Sequence, residues 1–224
     1  MKASLVLAGL FAAWAGWAAE DKGFVPLFPA DGTPKSWVVR TWNDVSKEAK
    51  GDWKVQNGML IGGLPRGNWL MSEKEYGDFI LEYEFKLGEL GNSGCALRAP
   101  MNGDPAFDGL ELQMADFRYN TNAKPSELTG GLYRAVAPTK QVYKPTDWNK
   151  YRITLKGPKV EVDLNGEKIL NLSLDEQTKT VKRHDGTDAP PLKDRPRKGH
   201  IGFQNLSRGE GHVEIRNARI KELK

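Results

Sequence analysis

Apolar and polar side chains alternate with a period of two along much of this chain. The clearest run is 79–87, where Phe79, Leu81, Tyr83 and Phe85 share one side and charged residues take the other. Successive side chains of a β-strand point to opposite faces, so this run predicts a half-buried strand. Similar runs predict further strands at 53–55, 59–61, 94–98, 109–114, 130–135, 151–156, 159–164, 168–172, 199–205 and 212–223, with an edge strand at 23–28.

Turn residues separate these runs. Asn57-Gly58 and Asn165-Gly166 are typical of tight hairpins. No segment of useful length shows a helical period, and about a dozen short strands between turns predict an all-β, antiparallel β-sandwich or jelly roll. Two longer irregular stretches, 100–109 and 173–198, are candidates for the walls of a cleft.

One predicted sheet face carries polar residues suited to chemistry. If 94–98 and 109–114 alternate regularly, Cys95 and Leu112 face the core, and Arg98, Glu111 and Gln113 share the other face. An arginine, a carboxylate and an amide can together bind vicinal hydroxyls and move protons. A solvated sheet face with an Arg–Glu cross-strand pair explains the same pattern, so both interpretations stay open.

The amino terminus predicts export. Lys2 and the apolar run that ends at Ala19 are typical of a secretory signal peptide, assigned to 1–18 with cleavage after Ala18. The run is too short for a convincing permanent membrane span. Residues 19–224 then suit a single β-sandwich domain, and the lone Cys95 cannot form an intramolecular disulfide.

Charge and motifs narrow the function classes. The net charge of +4 comes from scattered basic residues, which argues against nucleic-acid binding. His184, His200 and His212 lack the spacing of zinc ligands, and no phosphate-binding loop or nucleophile elbow is present. No cofactor is predicted, although a divalent cation held by Asp104 or Asp108 and loop carbonyls stays possible.

The segment from Glu111 to Asp116 invites comparison with the Glu-x-Asp-x-x-Glu strand of laminarinase-type β-glucanases. A β-bulge like theirs would align Glu111, Gln113 and Asp116. The central carboxylate is an amide here and the last acid is shorter, which disfavours a retaining pair about 5 Å apart. Trp42 and Trp69 lie in loop-like sequence and are candidates for stacking on a sugar.

An ordered set of motifs resembles one known family. The motifs are Gly23–Phe28, Trp53 with Asn57-Gly58, 76–79, 82–85, Asn92-Ser-Gly94 with Arg98, Glu111-Leu-Gln113, 129–133, Trp148-Asn149, Asn165-Gly166, 199–204 and 216–220. Together they resemble the 3-keto-disaccharide hydrolase domain family over nearly all of the mature chain. The resemblance implies a concanavalin A-like sandwich, exported to the periplasm or secreted by a bacterium, that acts on glycosides oxidised at C3.

That chemistry suits the candidate face. A ketone at C3 acidifies the C2 proton, so a carboxylate can remove it while a donor stabilises the enolate and the C1 substituent is expelled. On this interpretation Glu111 is the base or acid, Arg98 binds the oxyanion or a hydroxyl, and Asp116 is the second proton carrier. The residues predicted to bind sugar are Asn92, Gln113, Tyr133, Gln204, Glu84 and Trp69.

Two other functions compete on this architecture. A non-catalytic, lectin-like carbohydrate-binding module would show exposed aromatic residues and no carboxylate of perturbed pKa. A laminarinase-type glucanase would release reducing sugar from unoxidised β-glucan. The sequence leaves the sugar, the linkage and the oligomeric state open.

Overall fold

The fold was determined as a computed structural model, which describes residues 22–208 and 212–224. The signal peptide predicted at 1–18 lies outside the described residues. The strands are β1 (Val25–Pro26), β2 (Trp37–Thr41), β3 (Asp44–Glu48), β4 (Trp53–Gln56), β5 (Met59–Gly62), β6 (Asn68–Tyr76), β7 (Phe79–Leu87), β8 (Asn92–Ala99), β9 (Leu110–Ala115), β10 (Asn149–Lys156), β11 (Lys159–Leu164), β12 (Glu167–Ser173), β13 (Val181–Lys182), β14 (Asp188–Ala189), β15 (Gly199–Asn205) and β16 (Val213–Glu222).

Helical structure is sparse. One short helix, α1 (Pro105–Asp108), precedes β9, and single 3₁₀ turns lie at Pro125–Glu127, Leu174–Glu176 and Leu192–Asp194. Within 22–208 and 212–224, no helix is long and apolar enough to cross a lipid bilayer.

The strands form two antiparallel sheets and a small hairpin. The eight-stranded sheet has the order β12-β11-β10-β7-β16-β5-β4, with β1 paired to β16. The six-stranded sheet has the order β3-β2-β6-β15-β8-β9, and β13 pairs with β14. The antiparallel β-sandwich predicted from the alternation is therefore confirmed.

The core fills the space between the two sheets. Tyr83 and Phe85 of β7 pack with Tyr151 of β10, and the ring of Tyr83 meets Phe203 of β15 at 5.3 Å in an edge contact. Burying side chains of this size stabilises the fold by about 2 kcal/mol each. Because alternate residues of β8, β9 and β15 serve this core, the intervening ones project from the outer face of the six-stranded sheet.

One predicted strand is not formed, and several strands of the structure were not predicted. Residues 130–135 form turns, because Gly130 and Arg134 take positive φ angles of 96° and 58°; only Leu132 bridges to neighbours. The strands β2, β3 and β6 were not predicted. In β6 the run from Asn68 to Ser72 is buried on both faces, so it lacks the alternation that reveals a half-buried strand.

Candidate functional site

A cleft of about 390 Å³ lies on the outer face of the six-stranded sheet. Its floor is made by polar side chains from three adjacent strands: Asn92 of β8, Glu111 and Gln113 of β9, and Gln204 of β15. The residues that line the walls come from connecting segments: Trp42, Arg66, Gly67, Asp104, Ala106, Tyr119, Tyr133, His184 and Leu206. Regular alternation in β9 places Glu111 and Gln113 together on this floor, as predicted.

Glu111 is the buried carboxyl of this floor. The residue is 3% exposed, and burial, reinforced by the nearby Asp104, raises the pKa of its carboxyl well above the usual value. Among the described residues no side chain or backbone group donates a hydrogen bond to this carboxyl. An unsatisfied carboxyl of raised pKa can hold a proton near neutrality and exchange it with a bound molecule.

Gly94 makes room for Glu111. A Cβ atom at position 94 would lie 2.7 Å from Cδ and 2.9 Å from Cγ of Glu111. Real side chains do not approach so closely, so any larger residue at 94 would push the carboxyl away from its position. The Gly94 backbone thus forms the surface on which the Glu111 side chain rests.

Asp104 is a second carboxyl in the cleft. Its Oδ1 accepts a hydrogen bond from the Ala106 amide and caps α1. Burial raises the pKa of Asp104 to about 6, despite the opposing effect of that hydrogen bond. Glu111 and Asp104 therefore share one cleft, and Asp104 makes ionisation of Glu111 less favourable.

The two irregular stretches predicted as walls do line the cleft. Segment 100–109 contributes Asp104, and segment 173–198 contributes His184 through the β13–β14 hairpin. Buried Arg195 ties them together by donating to the Ala106 and Gly109 carbonyls at 3.0 and 2.9 Å. Arg183 adds a bidentate ion pair with Asp108.

A second cavity of about 230 Å³ adjoins the cleft. The two share five lining residues, which we call the junction residues: Asn92, Gln113, Tyr119, Tyr133 and His184. Asp116, Glu127 and Arg134 line only the second cavity. The combined shape offers two compartments separated by a band of polar and aromatic side chains.

The wall contains chemically important residues that were not predicted to act on a sugar: Tyr119 and His184, and also Asp104, which the sequence suggested only for a cation. The Tyr119 hydroxyl accepts a hydrogen bond from Arg66 at 3.1 Å, and the Arg208 guanidinium lies 4.4 Å from its ring centre. Burial would raise the pKa of Tyr119, but hydrogen bonds with Asn92 and Arg66 and both positive charges hold it below the usual value. The Asp104-Pro105 pair is a helix-start signal that could have placed Asp104.

His184 and Tyr133 form an aromatic wall. The His184 ring packs edge-on against Trp42 at 5.6 Å and Phe107 at 5.3 Å. Burial, with the nearby Arg134, lowers the pKa of His184, so the ring is neutral at neutral pH. Burial, with the charge of Glu111, raises the pKa of Tyr133 to about 12.

The amides on the floor are placed to bind a ligand. Asn92 is buried, and its Oδ1 has no hydrogen-bond partner among the described residues. Such an acceptor is costly unless a ligand or water satisfies it. The Oε1 of Gln113 accepts from the Met114 amide, which fixes the side chain, and Gln204 is 4% exposed on the adjacent strand.

Asp116 lies at the second cavity, but its carboxylate is held by the protein. Arg118 donates to both oxygens at 2.7 and 2.8 Å, and Tyr143 donates at 3.3 Å. Burial alone would raise the pKa of Asp116, yet these partners lower it below the usual value. A carboxylate bound so firmly is a poor proton donor, so the arrangement does not suit a second proton carrier.

Arg98 does not share a face with Glu111, contrary to the prediction. Between Ala96 and Ala99, β8 has one residue more than its partner β15, and Arg98 takes a positive φ of 51° at this bulge. The extra residue reverses the direction of its side chain. Arg98 is fully buried and donates to the carbonyls of Gly77 and Gly157 and to Asp78.

Glu84 and Trp69 also lie away from the cleft surface. Glu84 projects from β7 of the eight-stranded sheet, where Arg216 donates to it at 2.8 Å and Asn217 at 3.2 Å. Trp69 lies in β6, fully buried, and donates its indole N–H to the Trp42 carbonyl at 2.9 Å. It therefore supports Trp42, which does line the cleft.

The bulge of the glucanase strand is absent from β9. The pairing of β8 with β9 runs from Asn92↔Ala115 to Leu97↔Leu110 without a register shift. Glu111, Gln113 and Ala115 therefore follow one another on the cleft face, and Asp116 comes after the strand ends. In a regular strand, the residue that follows Glu111 and Gln113 on the cleft face is at position 115. That residue is Ala115, so β9 carries no second carboxylate on this face.

The carboxylates considered for a cation have protein partners. Asp104 caps α1, and Asp108 binds Arg183 and the Asp104 amide. Within the part of the chain that the structure describes, no cluster of three or more His, Cys, Asp or Glu side chains is placed to hold a metal ion.

Similarity to known proteins agrees with this architecture. Two candidate glycosyl hydrolases from Parabacteroides distasonis ATCC 8503 have similar solved structures. One shares 27% identity, with a TM-score of 0.72, over 89% of this chain and 99% of its own. The other shares 26% identity, with a TM-score of 0.71, over 92% and 97%.

A more distant likeness concerns the fold alone. The solved structure of LamAcat from Zobellia galactanivorans is 13% identical, with a TM-score of 0.53, over 91% of this chain and 99% of its own. No protein with a curated description matched the chain in sequence. Residues 23–221 match the family model described as the 3-keto-α-glucoside-1,2-lyase-like domain, which confirms the resemblance drawn from the motifs, and the chain belongs to that family.

Proposed function

We propose that this protein is a carbohydrate-active enzyme that cleaves the glycosidic bond of 3-keto-glycosides or 3-keto-disaccharides by elimination. The observation that carries the proposal is the Glu111 carboxyl, which is buried in the cleft floor without a hydrogen-bond donor among the described residues. Membership of the 3-keto-α-glucoside-1,2-lyase-like family and likeness to candidate glycosyl hydrolases support the substrate class.

The reaction needs one base at C2 of the sugar. Ionised Glu111 removes the C2 proton, and the electron pair passes into the C3 carbonyl as an enolate. Collapse of the enolate forms the C1=C2 double bond and expels the oxygen at C1 with its electron pair. Removal of one proton and delivery of one to the leaving oxygen balance the step, and water added across C1=C2 completes a hydrolysis.

The floor amides suit the negative charge that develops on the substrate. Gln113 follows Glu111 on the cleft face of β9, and Gln204 lines the same cleft from β15, with β8 between the two strands. An amide N–H can donate to the C3 oxygen as the enolate forms. The raised pKa of Glu111 makes its carboxylate a stronger base than a solvated glutamate. The acceptor Oδ1 of Asn92 is available to a sugar hydroxyl.

The geometry favours this reaction over the alternatives. A retaining glucanase needs two carboxyls about 5 to 5.5 Å apart on either side of the bond. The catalytic strand does not supply that pair, because β9 carries Gln113 and Ala115 beyond Glu111 on its cleft face, and the other carboxyl of the cleft, Asp104, caps α1. A lectin gains nothing from a buried carboxyl of raised pKa, since its ionisation opposes stability.

The test compares a chromogenic 3-keto-glucoside with its unoxidised parent. We expect the mature wild type to release the chromophore only from the keto substrate. Glu111→Gln should lose at least about 10³-fold in kcat/KM, since a general base contributes on that scale. Glu84→Gln is the matched control, because it makes the same change on the eight-stranded sheet and should keep full activity. Release from the parent, or equal activity of Glu111→Gln, would contradict the proposal.

A further inference from the structure

The two compartments of the site raise the question of which residue protonates the leaving group. The inference rests on the proposed elimination. When the oxidised ring lies over Glu111 in the larger cavity, the leaving group occupies the smaller one, and the glycosidic oxygen lies between the junction residues. A sugar or alcohol leaving group needs a proton as the bond breaks, because an alkoxide is a poor leaving group.

Only some junction residues can give a proton. Asn92 and Gln113 carry amides, which can donate hydrogen bonds but do not ionise near neutral pH, so they are not general acids. Tyr133, Tyr119 and His184 are the titratable groups of the set. Asp116 lies beside the second cavity, but it is bound as a carboxylate by Arg118.

The surroundings of these three groups differ. His184 packs between Trp42 and Phe107 with Arg134 nearby, an environment that disfavours the imidazolium needed for proton donation. Tyr133 lies close to the charge of Glu111, which opposes its ionisation. Tyr119 has the opposite environment, because Arg66 donates to its hydroxyl at 3.1 Å and Arg208 lies 4.4 Å from its ring centre.

We propose that Tyr119 is the general acid of the reaction and donates its phenolic proton to the glycosidic oxygen as the C1–O bond breaks. Tyr119 becomes a phenolate, which Arg66 and Arg208 stabilise by hydrogen bonding and charge. Glu111 holds the proton taken from C2, so no external acid or base is consumed in the bond-breaking step. Proton exchange with water then resets both groups. The assignment replaces Asp116 as the second proton carrier.

The leaving group provides the test. Two 3-keto-glucosides with the same sugar are compared, one carrying 4-nitrophenol and the other carrying a simple alcohol. A nitrophenolate leaves without a proton, whereas the alcohol requires one. Tyr119→Phe should lower kcat/KM by about 10² to 10³-fold for the alcohol substrate and by less than about tenfold for the nitrophenyl substrate.

Tyr76→Phe is the matched control, because it removes a phenolic hydroxyl from a buried tyrosine outside both cavities and should leave both substrates unaffected. Arg66→Gln is a second variant. It keeps the Tyr119 ring but removes the donor to its hydroxyl, and it should lose activity selectively on the alcohol substrate, to a smaller extent.

The outcomes separate the two proposals. A wild type inactive on both keto substrates would overturn the elimination itself, and Tyr119 with it. A wild type active on both, with Tyr119→Phe equally impaired on the two substrates or unimpaired on both, would overturn only the assignment of Tyr119. Selective loss on the alcohol substrate in a variant with the wild-type melting temperature supports it.

Discussion

Carboxylates project from strands of both sheets, but their surroundings are opposite. On the eight-stranded sheet, Glu82 is 3% exposed and is bound by Arg219 at 2.7 and 2.9 Å and by Arg152. On the six-stranded sheet, Glu111 is equally buried, with no donor among the described residues. The same residue type at the same exposure is therefore part of an ion pair in one sheet and a carboxyl without a protein donor in the other.

The two carboxyls differ in whether the protein balances their negative charge. The Glu82 carboxylate is paired with two arginines, so its charge is balanced and its position is fixed by the protein. A buried carboxyl without a partner destabilises its own ionised form, and that raises its basicity. Substitutions in the two places should therefore change stability and activity in opposite ways.

Displacing Glu111 without altering it should give the largest effect. In Gly94→Ala, the new Cβ would overlap the Glu111 side chain, so the carboxyl must move. We expect kcat/KM for a 3-keto-glucoside to fall by about 10² to 10³-fold, because even a 1 Å misplacement of a catalytic group has effects on this scale. Gly77→Ala is the control, since its nearest neighbours lie 4.0 Å from the added Cβ. Similar losses in both variants would argue against a special role for Gly94.

Substitution of Arg98 should affect the stability of the protein and not its activity. Arg98→Met should lower the free energy of unfolding by about 3 kcal/mol, because it removes the guanidinium that donates to the carbonyls of Gly77 and Gly157 and to Asp78. Activity per folded molecule should stay unchanged. Urea unfolding followed by tryptophan fluorescence measures the first, and turnover well below the unfolding transition measures the second. If Arg98→Met were as stable as wild type but inactive, Arg98 would have a role in the reaction and the prediction would be wrong.

The fate of Arg98 illustrates what the sequence could and could not predict. Alternation correctly placed Glu111 and Gln113 on one face of β9 and Gln204 opposite Phe203 on β15, because β9 pairs with β8 in continuous register. Asn92 was proposed from the family resemblance instead. The bulge before Ala99 depends on how β8 meets β15, and nothing in the sequence of β8 alone reveals an extra residue. Fold class was therefore predictable, whereas the direction of a single side chain was not.

The walls of the cleft were still less predictable. Tyr119 owes its environment to Arg66 and Arg208, which are 53 and 89 residues away in sequence. Such contacts form only when loops from different strands meet at one end of a sandwich. Trp69 was assigned to a loop because β6 is buried on both faces and so lacks alternation. Local patterns identify strands, but tertiary contacts determine which loop residues reach the site.

A pair of isosteric changes would measure the contrast between Glu82 and Glu111 directly. Glu82→Gln should lower the free energy of unfolding by about 2 kcal/mol, at the low end for a broken buried pair, because both arginine side chains remain about a third exposed. Glu111→Gln should raise it by about 1 to 2 kcal/mol at pH 8 and abolish turnover, as is common when a destabilised active-site group is removed. Denaturation at one pH measures both variants. Equal signs for the two stability changes would remove the distinction between the two sheets.

The same contrast recurs on a smaller scale within α1. Asp104 has a pKa raised by burial to about 6, whereas Asp108 is also partly buried but has a pKa lowered by Arg183. Because native Asp104 binds its proton more tightly than the unfolded chain does, its contribution to stability is full below about pH 4 and is lost as pH rises through 6.

Asp104→Asn keeps an N-cap acceptor and should gain up to about 2 kcal/mol over wild type between pH 4 and pH 8. Asp108→Asn should be less stable than wild type by an amount that stays nearly constant above about pH 4 and shrinks only at lower pH, since the ionised form that pairs with Arg183 is complete by then. Melting temperatures of the three proteins from pH 4 to pH 8 test both expectations: the gap between Asp104→Asn and wild type should widen with pH, and the gap between Asp108→Asn and wild type should not. Parallel curves for Asp104→Asn and wild type would show that Asp104 carries no unfavourable charge in the cleft.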